Sequence, residues 1–437
     1  MNKVTDDNMN DNILVIPCST GISIEIYDSL KNIKNINLYG LNLHAKSRGY
    51  YLYNNYSEFL SYKDKDFNSN LKEYVLQNNI NYIIPGDDNT VFILKELELY
   101  LGVKVITSPF ETSKIARSKD ITYNILKGHI RVPNTFKIND KFSFPVFIKP
   151  DEGAGAVDSY KISNKEELYK KFTENHLICE FLPGKEYTIE CLTDKNRKLL
   201  CSIVRERTIV SNGLSIGTKI INNEELNIKV NNIACKINDV LEFKGSWFFQ
   251  VKYNKNNELT LLEISTRLPG ASNILRNYGI NMTLLSLFIH QDKDVEIEKL
   301  PIHDINTLKI YTNYYDISFN NIEHLYIDFD DTLIINDKVN IDIIGIIYKF
   351  INKNKNIYLI TRHKYNLFNS LNKYKINREL FTEIHWIKDN KSKNYYIKNN
   401  SIFIDDSFQE RKSIDKNRNI YCIDVSSLEI LKNNKYI

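Results

Sequence analysis

The regular alternation of short apolar runs with helical segments constrains the fold of this chain more than any other feature. Four apolar runs of strand length occur in the first 108 residues: 12–17, 36–39, 81–85 and 103–107. Helical patterns follow the first and the third run, and strands that alternate with helices predict an α/β fold with a parallel sheet. The turns after Pro17 and Pro85 would lie at the carboxyl ends of strands, where such sheets bind ligands.

Length and composition restrict the classes of function. The 437 residues predict two or three domains, and a formal charge of +4 is too weak to indicate a nucleic-acid partner. We expect no membrane partner, because no apolar run approaches the length of a membrane helix. The six cysteines are scattered without metal-like spacing. Reduced thiols and the polar N-terminal segment together predict a cytoplasmic protein.

A polar pattern at the end of one apolar run is the strongest local sign of chemistry. Glu263, Ser265 and Arg267 alternate after the run 259–262, so on an extended backbone their side chains share one face. Gln250 lies within the preceding apolar run, and the turn-like residues 254–257 predict a β-hairpin that joins the two runs. A carboxylate, a neutral oxygen and a guanidinium suit a cation that holds phosphates. A surface strand with an incidental salt bridge is the alternative.

Further polar groups precede this hairpin in an ordered series. Lys119 lies near the start of a predicted helix at 116–126, and Lys149 ends a predicted strand at 145–150. The glycine-bearing loop 151–157 follows, and its backbone could approach phosphates closely. Glu180 and Glu186 then flank a bend between two predicted strands. Each group alone has an ordinary structural explanation, so the order of the series carries the argument.

This order resembles the ATP-grasp superfamily, in particular its carbamoyl-phosphate-synthase-like and carboxylate–amine ligase branch, over about residues 13–310. The resemblance implies a parallel-sheet pre-ATP-grasp domain at 1–108 and an α+β ATP-grasp domain at 109–318, with a lid subdomain at about 119–185. It implies ATP as cofactor, bound by residues in three groups. The phosphates would contact Lys119 and Lys149 under a lid containing Gly153 and Gly155, adenine would contact Glu180 and the Leu182 backbone, and the ribose would contact Glu186.

The same resemblance implies roles at the metal and acceptor end of the site. Gln250, Glu263 and Ser265 would bind Mg²⁺, with Mn²⁺ as an alternative, and Arg267 matches the catalytic arginine of the family. Asparagine is usual where this chain has Ser265, and many relatives carry an acid in place of Gln250. Three residues face the acceptor in the family and are candidates for binding an anionic substrate: Arg205, Arg207 and Ser215.

The last quarter of the chain carries a second series of polar groups at predicted strand ends. Asp328 and Asp330 alternate after the run 324–327, and Thr361 ends the run 356–361. Lys391 and Lys393 open a short helical segment, and the run 401–404 ends in Asp405 and Asp406. If these strands are parallel, their carboxyl ends bring the polar groups to one edge of a sheet.

This series resembles the haloacid-dehalogenase superfamily of phosphatases, over about residues 324–437 of a domain at 322–437. The resemblance implies that Asp328 attacks phosphorus and that Asp330 transfers protons. It implies that Thr361 binds the phosphoryl group and that either Lys393 or Lys391 neutralises its charge. Asp405 and Asp406 would hold Mg²⁺ together with Asp328, and Asp330 is also a candidate ligand. We expect a capless, Rossmann-like domain, because neither 332–361 nor 361–391 is long enough for a separate cap.

Together the two resemblances predict a bifunctional enzyme. An ATP-dependent ligase would join a small carboxylate to a small amine, and a magnesium-dependent phosphatase would act on a phosphorylated intermediate of the same pathway. One alternative is a nucleotide-responsive regulatory protein whose output is the phosphatase half. Another is an enzyme that forms a carbamoyl or acyl phosphate and stops there. A homodimer is left open.

Overall fold

The computed structural model describes residues 10–43, 47–153, 157–211, 214–300, 305–310, 312–319, 321–415 and 418–435. The chain divides into two compact units, Met1–Ile310 and Tyr311–Ile437. Among the described residues, no helix has both the length and the apolarity that crossing a bilayer requires. The division of the first unit into smaller domains stays a prediction.

The first sheet of unit one is parallel, as the alternating pattern predicted. Its five strands are β1 (Asp11–Ile16), β2 (Ile36–Asn42), β3 (Asn55–Glu58), β4 (Tyr82–Pro85) and β5 (Lys104–Val105). Their order is β3-β2-β1-β4-β5, so the strand order reverses between β1 and β4. The β1 core residues from Ile13 to Ile16 are fully buried. An apolar run of this kind is expected of a strand covered on both faces.

The loops that follow β1 and β4 meet at this reversal point. The Thr20 hydroxyl donates to the Gly86 carbonyl at 2.6 Å. A Cβ on Gly86 would lie 2.0 Å from the Pro17 carbonyl oxygen, so only glycine allows this approach. The first helix begins at Gly21, because Thr20 caps its N-terminus by accepting from the Ser23 amide.

Two antiparallel sheets complete the first unit. The smaller has the order β6-β9-β7-β8 and comprises β6 (Thr135–Phe136), β7 (Val146–Pro150), β8 (Tyr160–Ile162) and β9 (His176–Glu180). The larger has the order β14-β13-β10-β11-β12-β15. Its strands are β10 (Glu186–Thr193), β11 (Leu199–Ser211), β12 (Leu214–Ile220), β13 (Gly245–Tyr253), β14 (Leu259–Ser265) and β15 (Asn306–Leu308). The predicted hairpin is confirmed as β13 and β14.

The helices of the first unit cover these sheets. Those described are α1 (Gly21–Leu30), α2 (Arg48–Leu52), α3 (Phe67–Gln77), α4 (Asp88–Leu101), α5 (Phe110–Arg117), α6 (Lys119–Leu126), α7 (Lys165–Lys171), α8 (Glu224–Val240), α9 (Asn273–Asn277) and α10 (Met282–His290). The predicted helix at 116–126 is wrong at its start, because the backbone breaks at Ser118. The Ser118 hydroxyl accepts from the Ile121 amide, so α6 begins at Lys119.

The core of the larger antiparallel sheet fixes the hairpin in place. Trp247 is fully buried between Phe243, whose ring stacks at 3.8 Å, and Phe249 at 5.8 Å. The indole N–H donates to the Thr193 hydroxyl at 2.9 Å, so the one polar atom of this side chain is satisfied. Core-facing residues alternate along β13, which directs Gln250 away from the core. A register shift in the β13–β14 pairing then brings Glu263 opposite Gln250 and away from the core as well.

The second unit contains its own parallel sheet. The order is β20-β19-β16-β21-β22, from β16 (His324–Ile327), β19 (Asn356–Thr361), β20 (Glu383–Trp386), β21 (Ser401–Ile404) and β22 (Ile420–Ile423). A hairpin of β17 (Ile334–Ile335) and β18 (Lys338–Val339) follows β16. The strand order reverses at β16, so the carboxyl end of this central strand is the expected ligand position.

Short helices connect the strands of the second unit. The described α-helices are α11 (Ile341–Asn352), α12 (Leu367–Lys373), α13 (Phe408–Lys412) and α14 (Glu429–Lys432), and the 3₁₀ helices are Arg378–Leu380, Lys393–Tyr395 and Val425–Ser427. Between Thr332 and Thr361 the chain forms only the small hairpin and α11. Between Thr361 and Lys393 it forms α12, one 3₁₀ helix and β20. Neither interval holds a separately folded domain.

Candidate active sites

Glu263 occupies the centre of a charged cluster in the first unit. It pairs directly with Gln250 across the β13–β14 register. No described residue donates a hydrogen bond to its carboxylate or forms an ion pair with it within 4.0 Å. Burial raises the pKa of this carboxyl, and the charges of Lys119 and Lys149 oppose that rise. The Gln250 amide lies 3.4 Å from the Thr188 hydroxyl.

The two predicted phosphate-binding lysines converge on this carboxylate. The Lys119 ammonium donates to the backbone carbonyls of Asp151 and Gly153, at 3.0 and 3.3 Å. The Lys149 ammonium donates to the Tyr123 hydroxyl at 2.7 Å and to the Leu262 carbonyl at 3.0 Å. Burial lowers the pKa of Lys149. Among the described residues, both ammonium groups are bound to neutral oxygens, so no direct contact there compensates their positive charge.

Arg267 is held by a residue that the sequence analysis did not identify. Its Nε donates to Asp88 Oδ1 at 2.7 Å, and its Nη2 donates to the second oxygen of the same carboxylate. The Ser265 hydroxyl donates to Asp88 Oδ1 at 3.2 Å. Burial works to raise the pKa of Asp88, but Arg267 outweighs burial and holds the pKa below its ordinary value. The sequence indicates Asp88 only through its place in the turn 86–89, which follows the predicted strand that ends at Pro85.

The predicted lid and adenine positions are only partly described. Gly153 lies at the end of a described segment and has a positive φ of 155°, whereas Gly155 lies outside the described residues. The Glu180 carboxylate accepts from Arg131 through both oxygens, at 2.8 and 2.9 Å. Leu182 is buried. An adenine base bound at this end of the site would therefore contact a Glu180 carboxylate that already pairs with Arg131.

Ion pairs also engage the predicted ribose and acceptor residues. Arg207 donates to Glu186 at 3.0 Å, so these two predicted binding residues contact each other. Arg205 is 3% exposed, and its Nε donates to the buried Glu190 at 2.5 Å. The Glu190 carboxylate offsets the charge of Arg205, and the binding of an anionic substrate by Arg205 stays a prediction. Ser215 donates to the Gly217 carbonyl at 3.1 Å.

A second charged cluster lies at the carboxyl end of β16 in the other unit. The Lys393 ammonium donates to Asp328 at 2.7 Å and to Asp405 at 2.6 Å, and all three side chains are nearly inaccessible. Burial raises the pKa of Asp328 to about 7, with Lys393 opposing the rise and Asp405 adding to it. Burial works to lower the pKa of Lys393, but the two carboxylates outweigh it and raise the pKa.

Three carboxylates of this cluster could share one cation. Ligand oxygens of Asp328, Asp405 and Asp406 lie within 4.8 Å of one another. Asp406 is further fixed by Thr332, whose hydroxyl donates to Asp406 Oδ1 at 3.3 Å and accepts from the Asp406 amide at 3.0 Å. Carboxylate oxygens are the ligands that Mg²⁺ prefers, so the donor set fits this ion.

The structure corrects two details of the predicted second site. The Asp330 carboxylate does not join the carboxylate group, because it faces His363, whose Nδ1 lies 2.8 Å from Oδ1. Lys391 also lies apart from the carboxylates: its ammonium is exposed, 3.6 Å from Asp389. Lys393 is therefore the lysine at the cluster. Thr361 is buried nearby and accepts from the His363 amide at 3.1 Å. His363 had no sequence signal beyond its place after a strand end.

Comparisons with known proteins agree with the fold of the first unit. Residues 172–311 match the family model described as "ATP-grasp in the biosynthetic pathway with Ter operon", and this match ends before Asp328. The D-alanine–D-alanine ligase of Petrotoga mobilis is 27% identical over 232 residues, covering 48% of this chain and 76% of that protein. The tyramine–L-glutamate ligase of Methanocaldococcus fervens is 25% identical over 211 residues. That match covers 47% of this chain and 65% of the relative, which is just under two thirds of its length.

A solved structure shows the same fold at low sequence identity. The biotin carboxylase domain of the 2-oxoglutarate carboxylase from Hydrogenobacter thermophilus, solved with MgADP, ADP and bicarbonate, superposes with a TM-score of 0.58. The match covers 67% of this chain and 72% of that one, at 13% identity. By sequence the chain is thus similar to the ATP-grasp family model over residues 172–311 and to the two ligases, and the solved structure shows a similar fold.

Proposed function

We propose that the first unit is an ATP-dependent ligase that joins a small carboxylate to a small amine. The observation that carries this proposal is the convergence of Lys119, Lys149 and Arg267 around the Glu263 carboxylate, which has no partner of its own among the described residues. Two ammonium groups with neutral partners, beside a guanidinium fixed by Asp88, suit a polyphosphate together with a divalent ion at Glu263. The two ligase relatives, both named for joining a carboxylate to an amine, support the same class of reaction.

In this proposal, different residues bind the phosphates of ATP and the metal ion. Lys119 and Lys149 neutralise the phosphates, and their neutral hydrogen-bond partners fix both ammonium groups without cancelling their charge. Glu263 holds Mg²⁺ with help from Gln250 and Ser265, since Mg²⁺ in such sites takes one or two carboxylates and completes its shell with phosphate and water. Bound Mg²⁺ offsets charge on the transferring phosphoryl group. Gly153 lies beside Lys119, which donates to its carbonyl, and this supports its predicted position at the phosphates.

The remaining contacts hold the nucleoside and the acceptor. Glu180 and Leu182 line the adenine position. Glu186 binds the ribose, and Arg207 orients the Glu186 carboxylate. Arg205 shapes the acceptor end through its buried pair with Glu190, and Ser215 lies on the adjoining strand β12. A carboxylate is a poor electrophile, so phosphoryl transfer from ATP first converts it to an acyl phosphate. The amine then attacks the acyl carbon, and phosphate leaves.

The dependence of ADP release on the two acceptors tests this proposal. The full chain is incubated with ATP, Mg²⁺ and pools of small carboxylates and amines, and ADP is measured with each pool omitted in turn. A ligase releases ADP in a sustained reaction only when both pools are present. Release that needs the acid alone would identify an acyl-phosphate-forming enzyme. Nucleotide binding without any release would identify a regulatory protein and contradict the ligase.

Asp88 should be required to position Arg267 in this reaction. We expect Asp88→Asn to lower the rate of ADP release by about tenfold to a hundredfold, because displacement of a catalytic group by about 1 Å can cost that much. The asparagine keeps the shape but loses the charge that holds the guanidinium at two points. Asp28→Asn, which removes a partly exposed acid paired with Lys31, is the matched control. An unchanged rate in Asp88→Asn would show that Arg267 is held in place by other contacts.

A second activity is proposed for the other unit, which we infer to be a capless phosphatase of the haloacid-dehalogenase type. The observation that favours it is the group of Asp328, Lys393, Asp405 and Asp406 at the carboxyl end of a parallel sheet. Burial of the Asp328 and Asp405 carboxylates is costly without partners, and here Lys393 supports both of them. Asp405 and Asp406 would hold Mg²⁺ with Asp328, and the bound ion would offset charge on the phosphoryl group.

The chain residues then perform a two-step transfer. An Asp328 oxygen attacks phosphorus, the ester P–O bond breaks, and Asp330 gives its proton to the leaving alkoxide. Asp330 next takes a proton from water, which attacks the aspartyl-phosphate and releases inorganic phosphate. Thr361 and Lys393 bind the phosphoryl oxygens. The two units would act in one pathway, with the phosphatase removing phosphate from an intermediate that the ligase makes or uses.

A further inference from the structure

His363 is the most tightly fixed polar side chain near the second cluster that the proposed reaction leaves without a role. Its Nδ1 lies 2.8 and 3.0 Å from the two oxygens of Asp330, and its Nε2 lies 2.8 Å from the Ser370 hydroxyl. The ring packs edge-on against Phe329 at 4.8 Å. The His363 carbonyl accepts from the Trp386 indole at 2.9 Å. The imidazole thus has one defined position.

The hydrogen-bond chain has a direction. An ionised carboxylate only accepts hydrogen bonds, so in the stage of the proposed reaction at which Asp330 has given up its proton, the proton on Nδ1 is donated to it. In the neutral ring Nε2 is then an acceptor, and the Ser370 hydroxyl donates to it. Ser370 lies on α12, one turn into the helix, so the chain Ser370–His363–Asp330 ties the loop after β16 to a helix of the scaffold.

Asp330 needs such an anchor more than its neighbour Asp328. Its side chain is 52% exposed, whereas that of Asp328 is 9% exposed and held by Lys393. An exposed aspartate exchanges among rotamers, and a proton donor is efficient only when it lies within hydrogen-bond reach of the leaving oxygen. His363, with a side chain only 9% exposed, restricts that exchange.

We propose that His363 is a positioning residue that holds the Asp330 carboxyl where it meets the leaving oxygen of the substrate. This inference rests on the proposed phosphatase function of the second unit. Its consequence is specific: His363 matters for the protonation of the leaving group and not for attack on phosphorus. A leaving group that departs readily as an anion, such as 4-nitrophenolate, scarcely needs the proton. An alkoxide needs it strongly.

Two substitutions separate positioning from packing. His363→Phe keeps a ring against Phe329 but removes both hydrogen bonds, whereas His363→Asn offers a side-chain N–H close to the position of Nδ1. His385→Phe is the control, since His385 is another ring in the same unit and stacks on Tyr326 and Tyr358. Each variant is made in the full chain, and its thermal unfolding is compared with that of the unaltered protein.

The rates on two phosphate esters decide the outcome. With Mg²⁺ present, we expect His363→Phe to lower kcat for glycerol 3-phosphate by about a hundredfold, the usual contribution of a positioned acid. The kcat for 4-nitrophenyl phosphate should fall by less than about threefold. His363→Asn should recover much of the loss, and His385→Phe should leave the ratio of the two rates unchanged.

Other results would overturn the inference. An equal loss on both esters in His363→Phe would assign His363 a purely structural role. Unchanged rates on both would show that Asp330 needs no anchor. If the unaltered protein cleaves neither ester, while Asp328→Asn behaves identically to it, the proposed phosphatase function itself fails. That failure is visible before any His363 variant is compared.

Discussion

Replacing Asp328 with asparagine is expected to abolish phosphatase activity while ATP consumption continues. The substitution keeps the volume of the side chain but replaces the attacking oxygen with a weak nucleophile, and it removes one of three carboxylates that could share a cation. Loss of a nucleophile costs on the order of 10³-fold to 10⁶-fold in rate. The measurement is phosphate release from 4-nitrophenyl phosphate, followed in parallel with ADP release from ATP in the same preparation.

A matched control makes the Asp328 result specific. Asp342 is an exposed aspartate of the same unit, paired with Lys432 at 2.7 Å, and Asp342→Asn should retain both activities. Persistent phosphate release in Asp328→Asn would show that another residue attacks phosphorus. Loss of ADP release as well would contradict two independent sites in the chain.

Strand ends could be predicted well from the sequence, because the composition changes there from apolar to polar residues. Apolar runs such as 12–17 and 401–404 end abruptly in polar residues, and the structure has strands in both places. The alternation of strands with helices then predicts parallel sheets whose polar strand ends lie at one edge. This is why Glu263, Lys149, Asp328 and Asp405 could be selected before their neighbours were known.

The pairing of side chains across long sequence separations could not be predicted. Asp88 meets Arg267 across 179 positions, and nothing in the turn at 86–89 specifies that partner. Arg205 lies on a strand opposite Thr188, yet its guanidinium pairs with Glu190, which lies two positions further along that neighbouring strand. His363 follows a strand end, as many surface histidines do. Its contacts with Asp330 and Ser370 arise only once α12 packs beside the loop after β16.

Local hydrogen bonds explain the smaller errors in helix boundaries. The helical pattern around Lys119 continues through Ser118 without a glycine or proline to end it, so periodicity alone predicts one helix. The structure divides it, because Ser118 caps α6 and also donates to Asp151 at 2.8 Å. The Asp151 carboxylate accepts from the Asp120 amide at 2.8 Å as well. The division places Lys119 at the first position of α6, beside the loop that contains Gly153.

Replacing Glu263 with glutamine is expected to produce the reverse pattern, with ligation lost and phosphatase activity retained. Glutamine preserves the length and the strand propensity of the side chain but removes the only charge that Glu263 could offer to Mg²⁺. It also leaves Lys119 and Lys149 without the opposite charge that now lies between them. We expect ADP release to fall by at least about 10³-fold, the typical cost of removing an essential group from a phosphoryl-transfer site.

The Mg²⁺ dependence of the residual reaction distinguishes a metal ligand from a general electrostatic role. If Glu263 binds the ion, the Glu263→Gln variant should need a higher Mg²⁺ concentration for its remaining activity, while its thermal unfolding stays close to that of the unaltered chain. Glu258→Gln is the matched control, because Glu258 lies at the start of the same hairpin arm, exposed and bonded to Asn254 at 2.8 Å. Full ADP release in Glu263→Gln would place the nucleotide site elsewhere, because no other carboxylate faces both lysines from the β13–β14 hairpin.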